Sequence, residues 1–164
     1  MTDIAVIAHD IRSTHNVGSL LRTCEGLGVS HICFTGYTPY PAMPDDDRLP
    51  HIARKLTDQI HKTALGAEDL VVWTHVPEVA ACIADFKAKG YTVVALEQTP
   101  DSISLPDYHS PDKVVLLLGR EVEGIDSELL KLVDVVVEIP MSGKKESFNV
   151  VQAAAMALYQ FRFG

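Results

Sequence analysis

Short apolar runs alternate along this chain with longer segments in which apolar positions recur every three or four residues. Ile4-Ala5-Val6-Ile7-Ala8 is the first run, and residues 31–35, 70–74, 91–96, 113–118 and 133–139 are of the same kind. Runs this short and this apolar predict strands covered on both faces. Between the first two, Val17, Leu20, Leu21 and Cys24 recur at helical spacing, which predicts a helix over 16–27 with Asn16 as its N-cap and Gly28 as its stop. Residues 77–89, opened by Pro77 and stopped by Gly90, read as a second long helix. A short basic helix is expected over 51–62, one capped by Asp126 running to 132, and an Ala-rich closing helix over 147–161. Strands alternating with helices predict the α/β class, a mostly parallel sheet covered on both faces. Residues 36–50 resist assignment, because Pro39, Pro41, Pro44, Pro50 and the run Asp45-Asp46-Asp47 forbid regular structure. They read as a long, mobile, functional loop.

Two Gly- and polar-rich loops follow predicted strands in the last third of the chain. They are Gly119-Arg120-Glu121-Val122-Glu123-Gly124 and Ile139-Pro140-Met141-Ser142-Gly143-Lys144-Lys145-Glu146-Ser147-Phe148-Asn149. Loops at the C-terminal ends of parallel strands are where open α/β sheets bind ligands. Neither common nucleotide signature fits. Gly119 and Gly124 have P-loop spacing, yet Ile125-Asp126 stands where a Lys-Ser/Thr pair would meet phosphate and Mg²⁺. The first strand runs into a segment with a single glycine, Gly18, where a dinucleotide fingerprint needs three. What remains is a pocket of backbone polar groups with apolar walls from Ile139, Met141 and Phe148, suited to a flat hydrogen-bonding ring without a pyrophosphate.

With 164 residues and 47% hydrophobic content, the chain can bury roughly two-thirds of its unfolded surface in one core, so one domain over 1–164 is expected. Cys24, Cys33 and Cys82 form no Cys-x-x-Cys pair, and no histidines pair at ligand spacing; a reducing compartment without a structural metal follows. No signal peptide opens the chain and no apolar run reaches the ~18 residues of a membrane span. The expectation is a cytoplasmic protein. The net charge of −8 disfavours a polyanionic partner as a whole. Its distribution changes that picture, since residues 1–62 carry 6 Lys/Arg against 7 Asp/Glu and 5 of the 7 histidines. Any nucleic-acid contact is therefore expected from Arg12, His15, Arg22, Arg48, His51, Arg54, Lys55, His61 and Lys62, joined by Arg120, Lys144 and Lys145 from the pocket loops.

Three segments carry a family likeness: Asn16-Val17-Gly18-Ser19-Leu20-Leu21-Arg22, Leu118-Gly119-Arg120-Glu121-Val122-Glu123-Gly124-Ile125, and Ile139-Pro140-Met141 through Glu146-Ser147-Phe148-Asn149-Val150. In this order they resemble the three motifs of the SpoU (TrmH-like) branch of the SPOUT RNA methyltransferases. Lys62-Thr63-Ala64-Leu65-Gly66-Ala67 is also similar to a stretch usual in that family, and with the first motif near the start and the last near the end of the sequence no appended RNA-binding domain is expected. The resemblance implies a SPOUT fold with a C-terminal trefoil knot, S-adenosyl-L-methionine (SAM) as cofactor, a homodimer, and methyl transfer to a ribose 2′-hydroxyl of tRNA or rRNA.

Carried onto this sequence, the resemblance puts Arg22 near the target ribose and across the dimer from its own cofactor. A guanidinium with pKa above ~12 is a poor base, so Arg22 suits a phosphate clamp that also steadies the developing alkoxide. Asn16 positions it, Glu121 orients substrate or offsets the sulfonium charge, and Ser147 and Asn149 either cap the last helix or touch substrate and cofactor. Leu96, Gly119, Ile139, Met141 and Phe148 are the implied cofactor-binding positions. Phe148 and Val151 depart from the Ser-Leu-Asn-Val-Ser usual in the family, placing a bulkier ring at the adenine and removing a hydroxyl. A non-catalytic knotted RNA-binding protein, a base-methylating SPOUT enzyme and a small-molecule methyltransferase are the alternatives. The apolar positions of the closing helix, Val150, Val151, Ala154, Ala155, Leu158 and Tyr159, spread around much of its circumference and favour the dimer.

Overall fold

The computed structural model describes residues 1–164. Seven strands, β1 (Asp3–His9), β2 (His31–Thr35), β3 (Trp73–Val76), β4 (Thr92–Leu96), β5 (Ile103–Ser104), β6 (Lys113–Leu118) and β7 (Val135–Glu138), form one sheet in the order β3-β2-β1-β6-β4-β7-β5. Every pairing is parallel, so the expected α/β class is the observed one. The central strands show why their sequences are continuously apolar. Ile4, Val6 and Ala8 of β1, with Val114, Leu116 and Leu118 of β6, face a core of 27 buried residues. Ala5, Ile7, Val115 and Leu117 face a smaller one of 11 on the other side. Helices α1 (Thr14–Gly26), α2 (Pro50–Ala64) and α5 (Val150–Phe163) cover the larger face, and α3 (Val79–Ala88) with the single turn α4 (Ser127–Leu130) covers the smaller. None of these helices is long and apolar enough to cross a membrane.

Several boundaries differ from the sequence expectation for local reasons. The N-cap of α1 is Ser13, whose Oγ accepts the Asn16 N–H at 3.2 Å, not Asn16 itself; the asparagine side chain is thereby free for a longer-range contact. Helix α5 starts three residues later than expected. Asn149 caps it, Oδ1 accepting from Val151 and Gln152, while Ser147 stays in the exposed loop as no cap at all. Asp126 precedes α4 without a side-chain cap bond, its carboxylate taken by Arg120 at 2.6 Å. β3 begins at Trp73 and not at 70, since its register with β2 pairs Ile32 with Trp73 and leaves Leu70 and Val72 outside. β5 has two residues, too few to leave a pattern.

Residues 36–49 are irregular, as expected, but pinned and not free-standing, and Pro50 already opens α2. Thr38 and Tyr40 are buried. Arg48 donates to the Asp46 carboxylate and to the Tyr40 and Pro41 carbonyls, with its guanidinium 3.6 Å from the Tyr40 ring centroid. Tyr40 in turn stacks on His75 at 4.1 Å. These bonds satisfy the backbone that proline prevents from entering a ladder. α1 and α2 meet at Gly18, where a Cβ would collide with Thr63 Oγ1 and the Ile60 carbonyl. That contact explains the glycine of the first motif and links it to the 62–67 stretch, since Thr63 Oγ1 donates to the His15 carbonyl at 2.8 Å.

Candidate active site

A cleft of about 260 Å³ opens at the C-terminal ends of β4, β6 and β7, the end at which parallel sheets bind ligands. Leu96 closes β4, Gly119 follows β6, Ile139 follows β7, and Met141 and Phe148 come from the loop that leads into α5; all five line this one cleft. Gly119 has a reason within the chain for lacking a side chain. A Cβ there would stand 2.6 Å from Ile125 Cγ1 and 2.7 Å from the Gly124 carbonyl carbon, so the 119–125 loop folds tightly back on itself. Arg120 N–H and Gly124 N–H exchange backbone bonds that close it. The electrostatic surroundings are acidic. Glu97, Glu121, Glu138 and Glu146 line the cleft against one guanidinium, that of Arg120, which is paired with Asp126.

The mouth of the cleft joins the three motif segments. Glu121 accepts from the backbone N–H groups of Arg12 (3.2 Å) and Ser13 (3.1 Å) and from the Asn16 side-chain amide (3.3 Å). Asn149 Nδ2 donates to Asn16 Oδ1 at 3.4 Å. Burial pushes the Glu121 carboxyl upward, but the N–H groups of Ser13, of Glu121 itself and of Arg12, with the Asn16 amide, outweigh it and hold the group below the ordinary carboxylate range. Glu121 is thus an ionised strut between the first and second motifs, with its lone pairs largely committed to the chain.

Asn16, Glu121 and Asn149 therefore come together, and Ser147 lines the cleft beside them. Arg22 does not join them. It lies six residues beyond Asn16 on α1, about 9 Å along the axis and about 240° around it, exposed and without a hydrogen bond or ion pair in its own chain. Three of the expected nucleic-acid contacts are engaged elsewhere: Arg48 inside the 36–49 loop, Arg120 with Asp126, and His61 with the Glu68 carboxylate. Arg12, His15, His51, Arg54, Lys55, Lys62, Lys144 and Lys145 stay exposed.

Sequence reasoning missed Ser13 and Glu97. Glu97 follows β4 directly, and its Oε2 accepts the Ile125 N–H at 3.1 Å, holding the second motif loop against the cleft. An isolated acid at the end of an apolar run was the available signal. Ser13 had a weaker one, a favoured N-cap residue three positions before Asn16.

The chain is similar to known proteins over nearly its whole length. The model of the SpoU rRNA Methylase family matches residues 3–159. Mouse "tRNA (guanosine(18)-2'-O)-methyltransferase TARBP1" is 30% identical over 96% of this chain, which spans only 9% of that protein. The "tRNA (guanosine(18)-2'-O)-methyltransferase" of Aquifex aeolicus is 26% identical over 96% of this chain and 68% of its own length. The solved structure of the SpoU methyltransferase AviRb from Streptomyces viridochromogenes in complex with the cofactor AdoMet superposes with a TM-score of 0.79 at 21% identity, covering 96% of this chain and 56% of that one. Three motif segments meeting at one cleft, in a fold shared with such proteins and matched by the family model almost end to end, establish that the chain belongs to the SpoU rRNA Methylase family.

Proposed function

We propose that this protein transfers a methyl group from S-adenosylmethionine to a ribose 2′-hydroxyl of tRNA or rRNA. The observation that carries the reading is the convergence of Asn16, Glu121 and Asn149, one from each motif segment, at the mouth of the cleft. The cleft suits the cofactor by its chemistry: apolar walls from Leu96, Ile139, Met141 and Phe148 for a ring, and carboxylates for a cation in place of the cationic groups a phosphate would require. S-adenosylmethionine supplies an electrophilic methyl group on a sulfonium. Gly119 and Glu97 keep the 119–125 loop folded against the site, and Asn16 and Asn149 present amides to the incoming ribose, with Ser147 beside them. Arg22 clamps the neighbouring phosphate and stabilises the developing alkoxide, and the proton passes to the phosphate or to water.

Arg22 has no partner in its own chain, which fits service to the cleft of a second protomer. A homodimer is supported by an apolar depression beside the cleft, formed by Leu105, Ile139, Pro140, Met156 and Tyr159, next to the exposed Phe163. The strand order supports a trefoil knot. β5 lies at the sheet edge, β6 returns to the centre beside β1, and β7 re-enters between β4 and β5 before α5. Three free cysteines fit a cytoplasmic setting.

Incubation with methyl-labelled S-adenosylmethionine and total tRNA or rRNA, followed by digestion to nucleosides, tests the reading. Label in 2′-O-methylnucleosides is expected. Label in a base, or no transfer to RNA, would overturn it in favour of a base-methylating enzyme, a non-catalytic RNA-binding protein or a small-molecule methyltransferase.

A further inference from the structure

The segments that leave β1 and β2 are tied to each other by side chains that have no part in the cleft. Asp10 adopts a left-handed conformation (φ 53°), as does Gly36 (φ 61°), where any Cβ would collide with the Asp10 carboxylate. Asp10 Oδ1 accepts the Tyr37 N–H at 3.0 Å, and Oδ2 lies 3.2 Å from His9 Nε2, while His9 Nδ1 bonds Thr35 Oγ1 at 2.9 Å. The buried Thr38 hydroxyl donates to the Ala8 carbonyl and accepts the Ile11 N–H. A non-glycine residue held at positive φ costs free energy and persists only where its surroundings over-determine it.

This scaffold turns two groups outward. Tyr37 is 52% exposed, and the Arg12 guanidinium stands over its ring, 5.9 Å from the centroid. The Arg12 backbone N–H is one of those that hold Glu121, so the pair is continuous with the mouth of the cleft. A half-exposed aromatic ring with a guanidinium that has no carboxylate partner over it matches one nucleotide, the base stacking on the open part of the ring and its phosphate meeting the guanidinium. The acidity of the whole chain points the same way. At net charge −8 it has little long-range attraction for phosphates, and stacking supplies affinity that does not depend on net charge.

We infer that Tyr37 and Arg12 form a stacking subsite for an unpaired base of the substrate RNA, next to the ribose that enters at Asn16 and Glu121. The inference rests on the RNA reading of the cleft. It assigns selection of single-stranded or loop RNA to this pair.

The test measures binding by fluorescence anisotropy across a salt series, using an RNA hairpin with an unpaired loop and the same stem as a closed duplex. Tyr37→Leu should weaken hairpin binding roughly 5- to 100-fold with an unchanged salt slope, and leave duplex binding as it was. Tyr37→Phe and Tyr37→Trp should retain hairpin affinity. Arg12→Ala should lower the salt slope by about one phosphate contact. Unfolding midpoints should match the wild type, because the ring is exposed. Unchanged hairpin affinity in Tyr37→Leu, equal losses on hairpin and duplex, failure of the wild type to bind the hairpin, or a change in sedimentation that puts the ring in a protein interface would each overturn the subsite. The transfer assay separates the two proposals. Loop-dependent binding lost in Tyr37→Leu, without methyl transfer by the wild type, keeps the subsite and rejects the enzyme; transfer with no effect of Tyr37→Leu on binding does the reverse.

Discussion

Replacing Glu121 with glutamine keeps the shape of the strut between the first and second motifs and removes its charge. The wild-type carboxylate accepts from Arg12 N–H, Ser13 N–H and the Asn16 amide. In Glu121→Gln one oxygen becomes an NH₂ group facing a donor, and the remaining bonds lose their charge assistance. Hydrogen bonds to charged groups contribute ~1.5–3 kcal/mol against ~0.5–1.5 for neutral ones, so the variant should lose about 1–3 kcal/mol. For a chain of this size that corresponds to a fall in Tm of roughly 3–10 °C. The pH dependence follows from the depressed carboxyl. A group whose pKa is lower folded than unfolded contributes its stability above the unfolded value and loses it as pH falls through the folded value. The gap between wild type and variant should therefore be full above about pH 5 and close progressively below about pH 4.5. Thermal unfolding followed by circular dichroism at pH 7, 5 and 4 measures it. Equal midpoints at pH 7, or a gap of the same size at pH 7 and pH 4, would refute the strut.

Three further outcomes are expected. Asn149→Ala removes the cap of α5 and the contact with Asn16, and should lower stability by about 1 kcal/mol in urea unfolding, whereas Asn149→Asp retains the cap. Gly18→Ala forces α1 from α2 against the Ile60 carbonyl and Thr63 and should cost about 1–3 kcal/mol or more by the same measurement, despite alanine's better helix propensity. Arg22→Ala should leave stability within about 0.5 kcal/mol, as an exposed residue without partners, and leave cofactor affinity by calorimetry unchanged. It should lower methyl transfer roughly 10²-fold, with little recovery in Arg22→Lys, which lacks the bidentate fork.

The sequence by itself determined the α/β class and the identity of the central strands, because strands covered on both faces must be apolar at consecutive positions and β1, β2 and β6 are. It also located the cleft, since the five apolar and glycine positions drawn from three segments all line it; loops at the C-terminal ends of parallel strands have few other places to converge. Tertiary structure alone decided what each polar residue does there. Asn16 is not the cap of α1, because Ser13 takes that bond and releases its amide to a carboxylate 105 residues away. Glu121 is a strut and Arg48 an internal fastener, roles set by donors that sequence proximity does not reveal. The smallness of Gly119 and Gly18 likewise answers to a neighbouring loop and a neighbouring helix. Hydrophobic burial acts through the spacing of residues along each element and can be read locally, whereas a hydrogen bond needs two particular atoms at about 3 Å, and the chain brings those together only by folding.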